Sequence, residues 1–269
     1  MSRYAHTAVG VVIVIVLLFP LYWMINASFQ PSGALLGSSP ALFPVHGTTA
    51  GYTEALSTQG GNLVFSLIVA LGTVAVSLVV ATPAAYALAQ LRVRGGRLLV
   101  FVLLIVQMIP GIVMANSLYT MFSRLGLVDT YGGLILADST ATIPFATLVL
   151  RAFMVSIPKE LAEAARVDGA GHWRTFRSII VPVSRTAVVT AGLFSFLFAW
   201  ADFLFAVTLT TERGFQPITV GIYRFVGNNT ADWNSIMATA VLAAVPAAIL
   251  LVIAQRSVVA GMTSGAVKD

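Results

Sequence analysis

The chain has 269 residues, of which 58% are hydrophobic and only 9% charged, with a net charge of +5 and no cysteine. A soluble domain carries roughly 25% charged residues, so at a mean hydropathy of +0.92 the surplus apolar surface must face lipid. The missing cysteines exclude a disulfide framework, thiolate zinc sites and iron–sulfur clusters.

A membrane span needs about 20 mostly apolar residues, because the hydrocarbon core is about 30 Å thick and a helix rises about 1.5 Å per residue. Six runs qualify, at about residues 7–27, 62–91, 98–118, 132–154, 184–210 and 236–255. The first follows Arg3 as a signal peptide would. Its apolar stretch from Thr7 to Ile25 is too long for a signal h-region, however, and no clean small-x-small cleavage site follows, so a retained helix is expected. A proline lies in or beside every run: Pro20, Pro83, Pro110, Pro144, Pro182 and Pro246. Neighbouring groups re-satisfy the carbonyl that proline frees in a membrane helix, so kinks are expected, not breaks.

Orientation follows from the basic residues. With the N-terminus inside, the inner segments hold Arg3, Arg92, Arg94, Arg97, Arg151, Lys159, Arg166, Arg174, Arg177, Arg185, Arg256 and Lys268, which is twelve of the fifteen. Only Arg124, Arg213 and Arg224 fall outside. That asymmetry puts both termini in the cytoplasm, and the pI near 9.9 then reports topology and implies no nucleic acid. Ser77, Ala81, Ala85 and Ala89 recur every four residues, as do Ala240, Ala244 and Ala248. Such stripes suit close helix packing within the bundle or, alternatively, a subunit interface.

No catalytic or metal site is legible. His6, His46 and His172 lie in three segments without ligand spacing, and no phosphate-binding GxxxxGK[ST] loop, GxSxG or HExxH appears. Asp138 and Asp202 lie inside runs, in the outer half by this topology, and Asn26 and Asn116 sit near outer helix ends. Intramembrane acids are functional candidates, so Asp138, Asp202 and Asn116 are candidates for a polar translocation path. The competing reading is that Asp202 merely caps or pairs with a neighbouring helix. Neither acid sits in a Gly-flanked protease-like motif, and the broken, repeated helices of secondary transporters are not evident.

The stretch EAARVDGAGHWRTFRSIIVP, residues 163–182, concentrates polar residues between the fourth and fifth runs. Pro158 suits a first helical turn, KELAEAARV reads as a short helix, and Asp168 and Gly169 interrupt it. HWRTFRSII then places Trp173, Phe176 and Ile179 or Ile180 on one face and Arg174 and Arg177 on another. By itself this is either a compact knob or an amphipathic loop lying on lipid.

The spacing Glu163-Ala164-Ala165, three residues, Gly169, nine residues, Ile179, one residue, Val181-Pro182 resembles the EAA loop of ATP-binding-cassette importer permeases, with Val181 in place of a Leu. FPLYWMINASFQP, AYALAQLRVRG, RLGLVDTYGGLIL, PITVGIYRFVG and VVAGMTSGAVKD are similar to the carbohydrate branch, the shorter six-span subunit of maltose- and trehalose-type importers. Phe65 and Ala201 depart from it, each standing where the branch often has Asn. The resemblance implies one all-α permease domain over residues 1–269, a type I importer fold with a cytoplasmic coupling helix between spans four and five. It implies a bacterial or archaeal plasma membrane. It also implies four partners: a second permease subunit, a cytoplasmic ATPase dimer, an extracytoplasmic solute-binding protein and a sugar. Glu163, Ala164, Ala165, Asp168 and Gly169 would couple to the ATPase. This chain would bind no cofactor and catalyse nothing, ATP and Mg belonging to the ATPase. The outer segments 28–61 and 211–235, with Asn228, Asn229 and Trp233, would form the docking surface. The rivals are another solute such as glycerol phosphate or a polyol, or a polytopic membrane enzyme or receptor.

Overall fold

The computed structural model describes residues 3–36, 41–44, 46–91, 93–211, 214, 216–228 and 232–263. Arg92, Arg213 and Lys268, which enter the charge asymmetry, and Asn229 lie outside the described residues. The described elements are helical throughout. Where one permease domain is expected over residues 1–269, the chain divides into two compact units, Met1–Leu63 with Val220–Pro246 and Val64–Thr219 with Ala247–Asp269.

In the first unit, α1 (Arg3–Ser28) exposes apolar side chains from Val9 to Leu21 and buries only its last turn, at Asn26, Ala27 and Ser28. A helix with such a coat is stable only in a nonaqueous surrounding. Its end is tied to the start of α12 (Trp233–Thr263), where the Asn234 amide donates to the carbonyls of Ser28 at 2.9 Å and Gln30 at 2.6 Å. Gly51 lies against that same side chain, where no Cβ would fit.

In the second unit, the later part of α2 (Ala50–Gln90) runs parallel to α5 (Tyr131–Val155). Phe65 stacks on Tyr131 with centroids 4.5 Å apart, the Ser77 and Thr142 hydroxyls meet at 2.6 Å, and the Gln90 amide donates to the carbonyls of Met154 at 2.7 Å and Ile157 at 3.2 Å. α9 (Arg185–Ala201) packs along α5, and Phe194 meets Phe145 at 5.5 Å. Ala81, Ala85, Ala146, Ala187 and Ala191 are buried with Leu150, Met154 and Ile180, so the first small-residue stripe serves packing within the chain. The second does not, since Ala240 and Ala244 are half-buried and Ala248 is exposed.

The six runs need three corrections. The second helix starts at Ala50, twelve residues before the expected 62, and so takes in the polar segment ahead of the run, Gly51, Gly60 and Gly61 included. The third run is broken: α3 (Gly96–Val106) and α4 (Gly111–Leu125) differ in direction by 95°. Pro110, at φ −59° and ψ 131°, has no N–H to continue a ladder and disfavours helix at the residue before it. The fifth run is likewise interrupted at Asp202 and resumes as α10 (Leu204–Leu209). Pro20, Pro83, Pro144 and Pro246 do lie inside continuous helices. Four helices are long and apolar enough to cross a membrane, or up to six if α3 with α4, and His172–Val183 with α9 (bent by 78°), each count as one span.

α5 begins at a cap that leaves no room. The Thr130 hydroxyl accepts from the Gly133 amide at 3.0 Å, and a Cβ on Gly133 would collide with the carbonyl oxygen of Leu127. Gly133→Ala should therefore lower the apparent melting temperature by several degrees, because a backbone atom cannot swing aside. Gly132→Ala meets nothing within 4 Å and should leave it unchanged. Thermal unfolding of both variants in detergent checks the difference.

Candidate functional site

The loop after α5 forms a knob. Pro158, at φ −55° and ψ 132°, starts α6 (Lys159–Val167), an amphipathic helix that buries Ala162 and Ala165 and exposes Glu163, Ala164, Arg166 and Val167. It ends in a Schellman arrangement: the Ala170 amide donates to Ala165 at 2.8 Å and the Gly169 amide to Arg166 at 3.0 Å. Gly169 takes φ +80°, the left-handed conformation that glycine adopts without strain. Asp168 and Gly169 are both exposed.

After that turn come α7 (His172–Thr175), a π-helical turn at Phe176–Ile180 and α8 (Val181–Val183). The aromatic face expected at Trp173 and Phe176 divides. Phe176 is buried and lies 5.3 Å from the Tyr86 ring, while Trp173 lies tilted against it, also at 5.3 Å, and is 68% exposed. Ile180 is fully buried and Ile179 half-buried. Val167 is 89% exposed, so two large apolar side chains stand out of a polar knob.

What holds the knob was not legible in the sequence. Gln90, the last residue of α2, clamps the carbonyls at the end of α5 just before Pro158. Together with Leu91, Lys159, Ala162, Glu163, Arg166 and His172 it lines a cavity of about 480 Å³ at the base of the knob. Lys159, Glu160, Glu163 and Arg166 share one short helix, yet none is ion-paired to another described residue.

The intramembrane acids are treated unequally. Asp202 closes α9 at ψ 130°, and its carboxylate accepts from the amides of Phe205 at 3.3 Å and Ala206 at 2.8 Å. Its own carbonyl accepts the Thr219 hydroxyl at 2.7 Å. It caps α10. Asp138 is fully buried on α5, neither of its carboxylate oxygens has a partner, and Asp202 is near enough to act on it electrostatically. Asn116 stands apart on the exposed side of α4.

Trp233 is half-buried at the start of α12. Asp232, just before it, accepts from the Ser235 amide at 3.4 Å and the Ser32 hydroxyl at 2.8 Å. Burial would raise its carboxyl, but the donors from Ser235 and Ser32 prevail and hold it below the ordinary carboxylate range.

Residues 77–264 match the family described as the binding-protein-dependent transport system inner membrane component. The chain is 33% identical to the diacetylchitobiose uptake system permease protein DasC of Streptomyces coelicolor, over 96% of this chain and 95% of that protein. It is 35% identical to the trehalose transport system permease protein SugB of Mycobacterium tuberculosis, over 93% and 92%. In fold it is similar to a chain of the crystal structure of a bacterial ABC transporter that imports the acidic polysaccharide alginate. The TM-score is 0.81 at 20% identity, over 95% of this chain and 98% of that one.

The capping role of Asp202 has a direct consequence. Phe205 and Ala206 use different carboxylate oxygens and Asn offers only one, so Asp202→Asn should melt between the native chain and Asp202→Ala, which should cost about 1 kcal/mol, or a few degrees in apparent melting temperature. Melting of Asp202→Ala at the native temperature would show that the cap contributes nothing.

Proposed function

Since the chain belongs to the family of binding-protein-dependent transport system inner membrane components, we propose that it is the permease subunit of an ATP-driven importer, passing a sugar received from an extracytoplasmic binding protein. The knob carries the reading. A buried Phe176 and the Gln90 clamp fix it to the bundle, while Val167, Trp173 and unpaired Glu163 face outward. Large apolar groups exposed beside the acidic Glu163 suit a protein partner that covers them.

That partner would be a separate ATPase pair that binds ATP and Mg. Glu163 would supply a polar contact, Trp173 and Val167 an apolar one, and Gly169 close approach. Movement of the ATPase would reach α2 and α5 as a rigid displacement, because Gln90 ties both helix ends to the knob. A second permease subunit would complete the path, and both termini would lie in the cytoplasm. The sugar is supported by relatives named for diacetylchitobiose and trehalose. Asp138, Asp202 and Asn116 remain candidates for lining the path when the bundle opens outward.

Two measurements test this. At φ +80° a side chain on residue 169 strains the turn even though its Cβ meets nothing within 4 Å, so Gly169→Asp should disturb the knob while leaving the bundle inserted. It should release the ATPase on purification and abolish sugar uptake; wild-type uptake would refute the assignment. Reporters fused at Gly95 and Gly171 should read cytoplasmic and one at Gly47 extracytoplasmic. The reverse pattern at Gly47 would overturn the orientation.

A further inference from the structure

The segment Ala41–Pro44, beyond the end of α1, is irregular, yet it is bound to that helix as closely as a packed element. The Ala41 carbonyl accepts from the side-chain amides of Asn26 at 3.0 Å and Gln30 at 2.6 Å, and the Leu42 carbonyl accepts from the Tyr22 hydroxyl. The Phe43 ring meets Tyr22 edge-on, with centroids 6.2 Å apart. Residues 41–44 are nonetheless all exposed, Leu42 at 60% and Phe43 at 69%. In water an exposed carbonyl needs no protein partner, because solvent supplies one. In lipid it must be satisfied from within the protein, and three side-chain donors aimed at two exposed carbonyls answer that need.

The position along α1 agrees. Every residue from His6 to Tyr22 is exposed, so the apolar coat runs around the helix and not along one stripe. A neighbouring protein helix covers one stripe, whereas acyl chains surround all sides. From Val9 to Ile25 the helix rises about 24 Å, less than the hydrocarbon thickness of about 30 Å. Tyr22 therefore lies within the hydrocarbon or at its edge, and Phe43 lies beside it. Phe19 and Trp23 stack 6.4 Å apart in the same turn, which clusters aromatic rings at this end as membrane interfaces do. From Phe29 to Thr53 the sequence has no Lys, Arg, Asp or Glu. Insertion here draws no such charge into lipid, and no charged rim marks the patch for a protein partner.

We propose that residues 41–43 form a membrane-embedded clip: Leu42 and Phe43 insert among the acyl chains beside the end of α1, and Tyr22, Asn26 and Gln30 shield the backbone carbonyls. The partner of this surface is the bilayer. The clip fixes the depth of α1 at that end, since Gln30 also belongs to the turn that Asn234 ties to α12. It withholds residues 41–43 from the docking surface expected over 28–61. The inference depends neither on the solute carried nor on the ATPase.

The chain has no cysteine of its own, so Leu42→Cys and Phe43→Cys can each carry a single nitroxide, with cysteines of the other subunits replaced. The transporter is assembled in lipid nanodiscs, and relaxation of each label by molecular oxygen and by a water-soluble nickel chelate is measured. Val16→Cys, in the coat of α1, is the lipid reference. Gly33→Cys, in an exposed turn where a Cβ meets nothing within 4 Å, is the aqueous one. The ratio of oxygen to chelate access at 42 and 43 should match that at 16 and exceed that at 33 several-fold. A ratio equal to that at 33 would place the segment in water and refute the clip. Shielding from both reagents would place it under a protein subunit, and shielding that appears only on adding the binding protein would assign it to that partner; either result overturns the proposal. Should the cysteine variants fail to assemble, benzoylphenylalanine in place of Phe43 decides: photocrosslinking to phospholipid is expected, and crosslinking to a polypeptide alone refutes the clip.

Discussion

The parallel pairing of α2 with α5 is the constraint on which the rest of the second unit depends. It is set by three unlike contacts at successive depths: an aromatic stack at Phe65 and Tyr131, a hydroxyl pair at Ser77 and Thr142, and an amide clamp from Gln90 to Met154 and Ile157. In lipid, apolar side chains gain little from leaving one another for another apolar surface, so specificity must come from close packing and hydrogen bonds. A shift of one residue would separate Ser77 from Thr142 and pull Gln90 from its carbonyls. The small residues Ala81 and Ala85 between those polar points let the helices approach, and the polar points fix the register.

Much of this was legible, because bilayer thickness imposes a length on apolar runs that no soluble fold requires. The runs at 7–27, 132–154 and 236–255 fall within α1, α5 and α12. Composition marked out the polar segment but left a knob and an amphipathic loop on lipid both open, and only the resemblance to the EAA loop favoured the knob. The breaks were not. Pro83 and Pro144 lie within helices packed on several sides, where other groups hold the ladder together. Pro110 follows Gln107–Ile109 in a segment that is exposed throughout, so nothing compensates for the missing amide. The interruption at Asp202 is similar in kind: the carboxylate offers the next amides an alternative to carbonyls of α9. Packing is not the whole of it, since Pro20 lies inside the continuous α1 although that stretch is exposed too, and spacing encodes neither outcome.

The knob shows how the same constraint reaches the loop after α5. Phe176 is drawn into the bundle against Tyr86, and Ile180 is wholly buried beneath it, so the segment after Gly169 is anchored by its apolar residues. The segment before Gly169 is anchored at Ala162 and Ala165 and keeps its larger groups outward. Gly169 sits between the two anchored pieces and lets them reverse direction in one residue. A rigid knob with an outward polar and apolar mixture transmits displacement better than a flexible loop, because neither half can move without dragging α2 or α5 with it.

Asp138 and Asp202 pose one problem in membrane energetics and receive two solutions. A carboxylate within a span costs about 3 kcal/mol even on the gentler insertion scales, so each must find compensation. Asp202 finds it in backbone amides that its own break in the helix sets free, which makes the acid and the break mutually dependent. Asp138 sits in an unbroken helix whose amides are already engaged, so no local donor is available to it. Whatever compensates it lies off its own helix backbone, toward the helices packed on α5. Any rearrangement that slides α2 or α9 against α5 must therefore break and remake the surroundings of Asp138, while Asp202 travels with its cap intact. Of the two acids, Asp138 is the one whose environment is tied to how the helices are arranged.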